Sequence, residues 1–254
     1  MIKFERTEVM GWEHAIRGMR NPMNSWEKSD SGWKYVTLVQ RDGYILASIF
    51  DDSEFWIGPN DADLMKRLRN AGTDHRKFMR MITVYVDITA PLYWWKEFDT
   101  YKVGTVANSC STMHKIAAKE FTLEDFSHEH LIRGTSLINL GGTINLLNQY
   151  RSQYITNKNK EYWWQMIQLL PSSYNQKRTV MMNYEVLANI YKSRKNHKLD
   201  EWAEHDDIDS MTLKRYYDGK FKLRDEKSLS DIGFCDWIKT LPYSELITGD
   251  FEEK

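Results

Sequence analysis

The chain has 254 residues, with 35 basic against 36 acidic side chains and a net charge of −1. That balance excludes a general nucleic-acid binder, which needs a basic excess, but leaves room for a local basic pocket. Its two cysteines, Cys110 and Cys235, are too few and too far apart for a disulfide framework or a zinc site. No run of about 18 apolar residues occurs, and MIKFERTEVMGW lacks an apolar signal core, so a soluble, cytoplasmic protein without a membrane partner is expected.

Residues 2–10 alternate loosely and read as an edge strand. Trp12–Met19 reads as a short helix, stopped near Asn21-Pro22. Tyr35–Val39 and Tyr44–Ile49 flank Arg41-Asp42-Gly43 and read as a β-hairpin with an Asp-Gly turn. A helix is expected from Pro59, with Asn60 as its N-cap, Leu64, Met65 and Leu68 as its apolar stripe and Gly72 closing it. Phe78–Thr89 holds a β-branched alternation that puts Ile82, Val84, Val86 and Ile88 on one strand face.

The next stretch, Ala90–Lys115, carries the most chemistry. Pro91 opens it, Tyr93, Trp94 and Trp95 follow, and it closes in the small polar cluster Thr105–Thr112 after Gly104. Such a segment suits a ligand-facing helix-to-loop transition, and equally a core helix with an ordinary surface loop. Further on, Thr122–Asp125 looks like a helix start. Helices are expected at Leu137–Tyr154 and Lys160–Leu170. Gln176–Trp202 reads as one helix, with Val180, Tyr184, Leu187 and Tyr191 on one side. Residues 203–232 are charged and apolar-poor, and Phe234–Ile247 returns to an amphipathic helix before a loose tail. The whole reads as one α+β domain over 1–254, helix-rich around a small mixed or antiparallel sheet, with a hairpin insertion at 27–58 and a charged surface insertion at 203–232.

Taken together these pieces resemble the flavin-dependent thymidylate synthases. In that family the strand ends in Ala-Pro, as Ala90-Pro91 does here. The following helix leads to a signature Arg-His-Arg-x-x-Ser-x-Asn-Glu-x-Ser-x-Arg, which here reads Thr100–Met113 with one extra residue near Ala107. A later stretch, from Leu170-Pro171 to Arg194, aligns without a gap. The resemblance covers most of the chain apart from 27–58 and 203–232. It implies FAD as cofactor, NADPH and methylene-tetrahydrofolate as candidate co-substrates, and a homotetramer with shared sites. The implied reaction is one-carbon transfer (methylation or a related modification) to C5 of a deoxyuridine monophosphate (dUMP)-like nucleotide.

Residue by residue, the resemblance implies a base-holding and catalytic role for Arg194. It puts Ser111, Ser109, Glu97 and Lys102 with the substrate, and Thr105, Asn108, Asn183, Asn189 and Tyr101 with the flavin. Several departures stand out. Thr100-Tyr101-Lys102 replaces Arg-His-Arg, Ser109 the Glu, Met113 the last Arg and Glu97 a Gln, while Met81 or Arg80 stands where a flavin-contacting His is expected. Each residue also has a plainer reading: Arg194 as one solvated cation of KSRKNHK, Ser111 and Thr105 as loop caps, Asn183 and Asn189 as core or capping residues, and Cys110 as a small buried thiol. His75, His128 and His130 form no metal set. The Trp94-Trp95 and Trp163-Trp164 pairs read as core or subunit-contact aromatics. A catalytically silent binding relative, and a ligand-free protein of the same fold, remain as alternatives to the enzyme.

Overall fold

The alternating run after Ile82 is one of the two inner strands of the main sheet. The computed structural model describes residues 2–34, 40–41, 44–45, 54–205 and 232–251. Strand β1 (Lys3–Met10) leads into helix α1 (Trp12–Arg20). Short strands β2 (Gly32–Lys34) and β5 (Glu54–Trp56) pair antiparallel, as do β3 (Gln40–Arg41) and β4 (Tyr44–Ile45). The hairpin's Tyr35–Val39, Asp42-Gly43 and 46–49, and most of the 203–232 insertion, lie outside the described residues.

Helix α2 (Pro59–Asn70) is followed by β6 (Thr83–Pro91) and α3 (Leu92–Phe98). Then come β7 (Val106–Ser109), α4 (Thr112–Lys115), α5 (Ser136–Asn157) and α6 (Lys160–Leu169). Strand β8 (Asn175–Asn183), helix α7 (Tyr184–Arg194), α8 (Phe234–Lys239) and α9 (Glu245–Thr248) complete the described strands and α-helices. The four-stranded sheet has the order β1-β6-β8-β7, antiparallel throughout.

The pleat sorts side chains as the alternation requires. Phe4, Val84, Val86, Ile88, Val180 and Met182 are buried on the helix side of the sheet. There they meet Trp94, Trp95, Phe98, Tyr184, Leu187, Trp202, Phe234 and Trp237. Trp94 stacks on Trp202 with ring centres 4.5 Å apart, and Phe4 on Trp237 at 4.9 Å. A second, smaller core of Ile116, Phe121, Phe126, Leu140, Ile144, Leu147 and Met166 fills the space under α5 and α6.

Several expected elements take a different form. The single helix over Gln176–Trp202 is instead a strand that turns into a helix at Asn183. Its apparent helical stripe joins Val180, an inward strand residue, to Tyr184, Leu187 and Tyr191, which face the same core from α7. The pairings that make Asn175–Asn183 a strand come from β6 and β7, both remote in sequence, so local periodicity could not show them. Helix α2 begins at Pro59 with Gly58 as N-cap. The carboxylate that serves its first turn is Asp30, which accepts from the backbone N–H groups of Asn60 and Asp61. Thr122 opens only one 3₁₀ turn at Leu123–Asp125, closed by a capping box with Asp125. Phe234–Ile247 splits into α8 and α9, and Thr105–Thr112 contains a paired strand rather than a free loop.

Candidate functional site

Arg194 ends α7, and its guanidinium is held from several sides. Nε donates to the Tyr101 hydroxyl at 2.7 Å, and Nη1 donates to Glu97 Oε2 at 2.6 Å. Nη1 also lies 2.8 Å from His197 Nε2. The guanidinium carbon sits 4.9 Å from the Trp202 ring centre and 5.5 Å from that of Tyr101. The side chain is 17% exposed and that of Glu97 35% exposed, so the pair sits at a surface rather than in the core. It is therefore not a freely solvated member of KSRKNHK. Sequence reasoning singled out Arg194, Glu97 and Tyr101 separately, and tertiary packing joins them. It missed His197 and Trp202; the three-residue spacing from Arg194 to His197 was the one available signal.

From Tyr101 the chain turns through Gly104 into β7. Gly104 has φ +76°, and a Cβ there would stand 2.9 Å from Val186 Cγ2 and 3.2 Å from Asn183 Nδ2, so glycine is required for this approach. Beside it the Thr105 hydroxyl is buried without a hydrogen bond. Asn183 caps α7, its Oδ1 accepting from Val186 N–H at 3.0 Å. Its Nδ2 has no hydrogen bond among the described residues. Asn189 lies further along α7, exposed, and accepts from Arg76 Nη2 at 3.1 Å. Asn108 and Ser109 are exposed on β7, in register with Thr179 and Arg178. Lys102 is exposed.

Past β7, Cys110 is exposed, not the buried thiol expected, because the strand carries it to the sheet edge. Its N–H donates to the Lys177 carbonyl at 2.9 Å, and its own carbonyl accepts from Gln176 Nε2 at 2.9 Å. Ser111 caps α4, accepting from His114 N–H at 3.1 Å. A cavity of about 220 Å³ opens here, lined among others by Ser111, Lys115, Phe121, Tyr174, Asn175 and Lys177. It is smaller than the pockets of about 300–1,000 Å³ that take drug-sized ligands. Asn175 Oδ1 is buried without a partner and the Lys115 ammonium has none among the described residues, whereas Lys119 pairs with Asp125. Tyr174 and Asn175 escaped sequence reasoning because no local pattern marks them. Asn148 holds the Phe121 backbone through both its N–H and its C=O, and Arg151 Nε donates to the Ala117 carbonyl, so α5 fixes the cavity wall.

The open face of the sheet carries an ion network. Lys177 Nζ reaches Glu5 Oε2 at 2.9 Å and Asp87 Oδ2 at 3.3 Å, and Thr179 donates to Asp87 Oδ1 at 2.7 Å. The Thr179 hydrogen bond, with Lys177 and Arg6, holds the Asp87 carboxyl below its usual range against the opposing pull of burial. The hydrogen bond to Glu5 pushes the Lys177 ammonium up.

The cavity lining and the Arg194 cluster share no residue within one chain. Of the histidines in question, His128 Nδ1 contacts the Phe126 carbonyl at 2.7 Å and His130 lies beside Asp200 at 3.4 Å. Trp94 and Trp95 are buried, while Trp164 is exposed.

No family model matches the chain, and no curated protein matches it. Solved structures do. The thymidylate synthase ThyX from Helicobacter pylori, with FAD and dUMP, is similar with a TM-score of 0.58 and 13% identity over 98% of both chains. Another structure of the flavin-dependent thymidylate synthase ThyX from Helicobacter pylori, complexed with FAD and dUMP, gives a TM-score of 0.53 and 14% identity over 77% of this chain and 86% of that one. The antiparallel order β1-β6-β8-β7 with its helices is thus, in architecture, the flavin-dependent thymidylate synthase fold.

Proposed function

We propose that the chain is a flavin-dependent enzyme that transfers a one-carbon unit, as a methylation or related modification, to C5 of a dUMP-like pyrimidine nucleotide. The observation that carries this reading is the held guanidinium of Arg194, whose Nη2 has no hydrogen bond among the described residues. In a fold whose solved neighbours are complexed with FAD and dUMP, such a group suits a base carbonyl. The residues present fit a flavin: the buried, unpartnered Thr105 hydroxyl and, packed beside Gly104, the Asn183 amide N–H₂ offer hydrogen-bond donors.

FAD would supply the reducing hydride, with NADPH and methylene-tetrahydrofolate as co-substrates. The chain's own residues bind and polarise. Arg194 donates to the base and stabilises negative charge on its ring, and Glu97 and Tyr101 set the guanidinium plane. Ser111 and Lys115 face the phosphate from the cavity, and Lys102 and Ser109 contribute further substrate contacts. Asn108 and Asn189 extend the flavin contacts. Because the Arg194 cluster and the cavity share no residue in one chain, the reading implies a site assembled between copies, in a cytoplasmic homotetramer.

One observation favours a second reading, a catalytically silent nucleotide- or flavin-binding relative: Glu97 already neutralises Arg194, and Met113 offers no charge where the family signature has arginine. Purified protein separates the two. The enzyme should take up FAD, turn yellow, gain thermal stability with dUMP, and show nucleotide-dependent oxidation of reduced flavin that Arg194→Ala abolishes. Uptake without nucleotide-dependent oxidation supports the silent relative. A colourless protein that takes up no added FAD overturns the flavin reading.

A further inference from the structure

Arg194 and Glu97 present any bound molecule with one fixed donor beside one fixed acceptor. The bond from Nη1 to Oε2 joins the two side chains, and the Trp202 and Tyr101 rings hold the guanidinium plane. The outer atoms of the pair, Nη2 and Oε1, carry no hydrogen bond among the described residues, and neither is a buried orphan. Neither atom is therefore sealed from solvent. An ionised carboxylate only accepts and a guanidinium only donates. A ligand edge that fits must set a donor against Oε1 and an acceptor against Nη2.

Both common pyrimidines have such an edge, but not equally. The ring donor of uracil, N3–H, lies between two carbonyl oxygens. If one carbonyl faces Nη2, the other stands against the carboxylate, like against like. In cytosine the donor is the 4-amino group, the neighbouring acceptor is N3, and C5–H lies on the far side. No oxygen then approaches Glu97. Glutamate accepting from the cytosine amino group and arginine donating to a ring acceptor are the pairings that base-edge geometry favours.

Resting on the reading above that Arg194 faces the base, we infer that the nucleotide is a 4-amino pyrimidine, a cytidine-type monophosphate. Calorimetric titration of the full chain with dCMP and dUMP, in the presence of FAD, tests this. Wild type should bind dCMP about tenfold more tightly than dUMP. Glu97→Gln keeps a carbonyl for Arg194 and adds a donor, so it should narrow or reverse that ratio. Equal affinities, a preference for dUMP, or an unchanged ratio in Glu97→Gln would each overturn the inference while leaving the broader reading in place. Failure of folded wild type to bind either nucleotide would overturn both. Should Glu97→Gln not fold, a pyrimidin-2-one deoxynucleotide lacking the 4-amino group provides a second arm on wild type. About tenfold weaker binding than dCMP is expected, and equal binding refutes the inference.

Discussion

Asp61→Ala isolates the best-defined polar lock in the molecule. Asp61 is fully buried. Its Oδ1 accepts from Arg20 Nε at 2.6 Å, and its Oδ2 from the hydroxyls of Ser29 at 2.7 Å and Ser31 at 2.6 Å, and from the backbone N–H groups of Asp30 and Ser31 at 3.1 Å each. Arg20 is itself only 4% exposed. Burial opposes ionisation of the Asp61 carboxyl, yet the bonds from Ser31, Ser29 and Arg20 together hold it below the usual range. Removing the carboxylate leaves a buried guanidinium without its counter-charge, a loss of about 3–5 kcal/mol. Against a total of about 5–15 kcal/mol this is a large share, and it should lower Tm by roughly 6–20 °C. Urea unfolding followed by tryptophan fluorescence measures it. Asp63→Ala is the control: Asp63 sits on the same helix in an exposed pair with Arg67, and its loss should change stability by no more than about 0.5 kcal/mol. Equal effects for the two variants would refute the assignment of Asp61 as the organiser of this corner.

Trp202→Ala should cost about 3–5 kcal/mol, because the indole is fully buried between Trp94 and Phe234; it should also loosen Arg194 and so weaken nucleotide binding. Unchanged denaturation midpoints would contradict the stack. A thiol reagent should label Cys110 at once in the native protein, whereas Cys235, buried and with its thiol pushed up to about 12, should react only on unfolding; equal labelling rates would refute this. The carboxyls of Asp61, Asp87 and Glu5 are all held below their usual range. Their contribution is therefore complete above the unfolded carboxylate pKa of about 4 and lost as pH falls through the folded values. Lys177 is raised, so its contribution is complete below about 10.4 and lost as pH rises through its folded value. Midpoint denaturant concentration against pH should thus fall at both extremes; a profile that stays level below pH 4 would contradict the carboxylate network.

Some of the molecule could be read from local order alone. The alternation at Thr83–Ile88 is a strand because β-branched residues at period two suit a pleated surface buried on one face. Trp12–Arg20 and Lys160–Leu169 are helices because their own residues carry the signal, including the stop near Asn21-Pro22. Arg194, Glu97 and Tyr101 were visible only through resemblance to a family, with nothing local to say that they touch.

What tertiary structure alone decided is whatever depends on partners distant in the chain. Asn175–Asn183 is a strand because β6 and β7 satisfy its backbone groups from either side. Asn175 becomes a cavity-lining orphan, and Trp202 a platform for Arg194, only once segments dozens of residues apart are packed together. Helical and strand periods are written into neighbouring residues. A site is a meeting of side chains, and the free energy that brings them together comes from burial spread over the whole core.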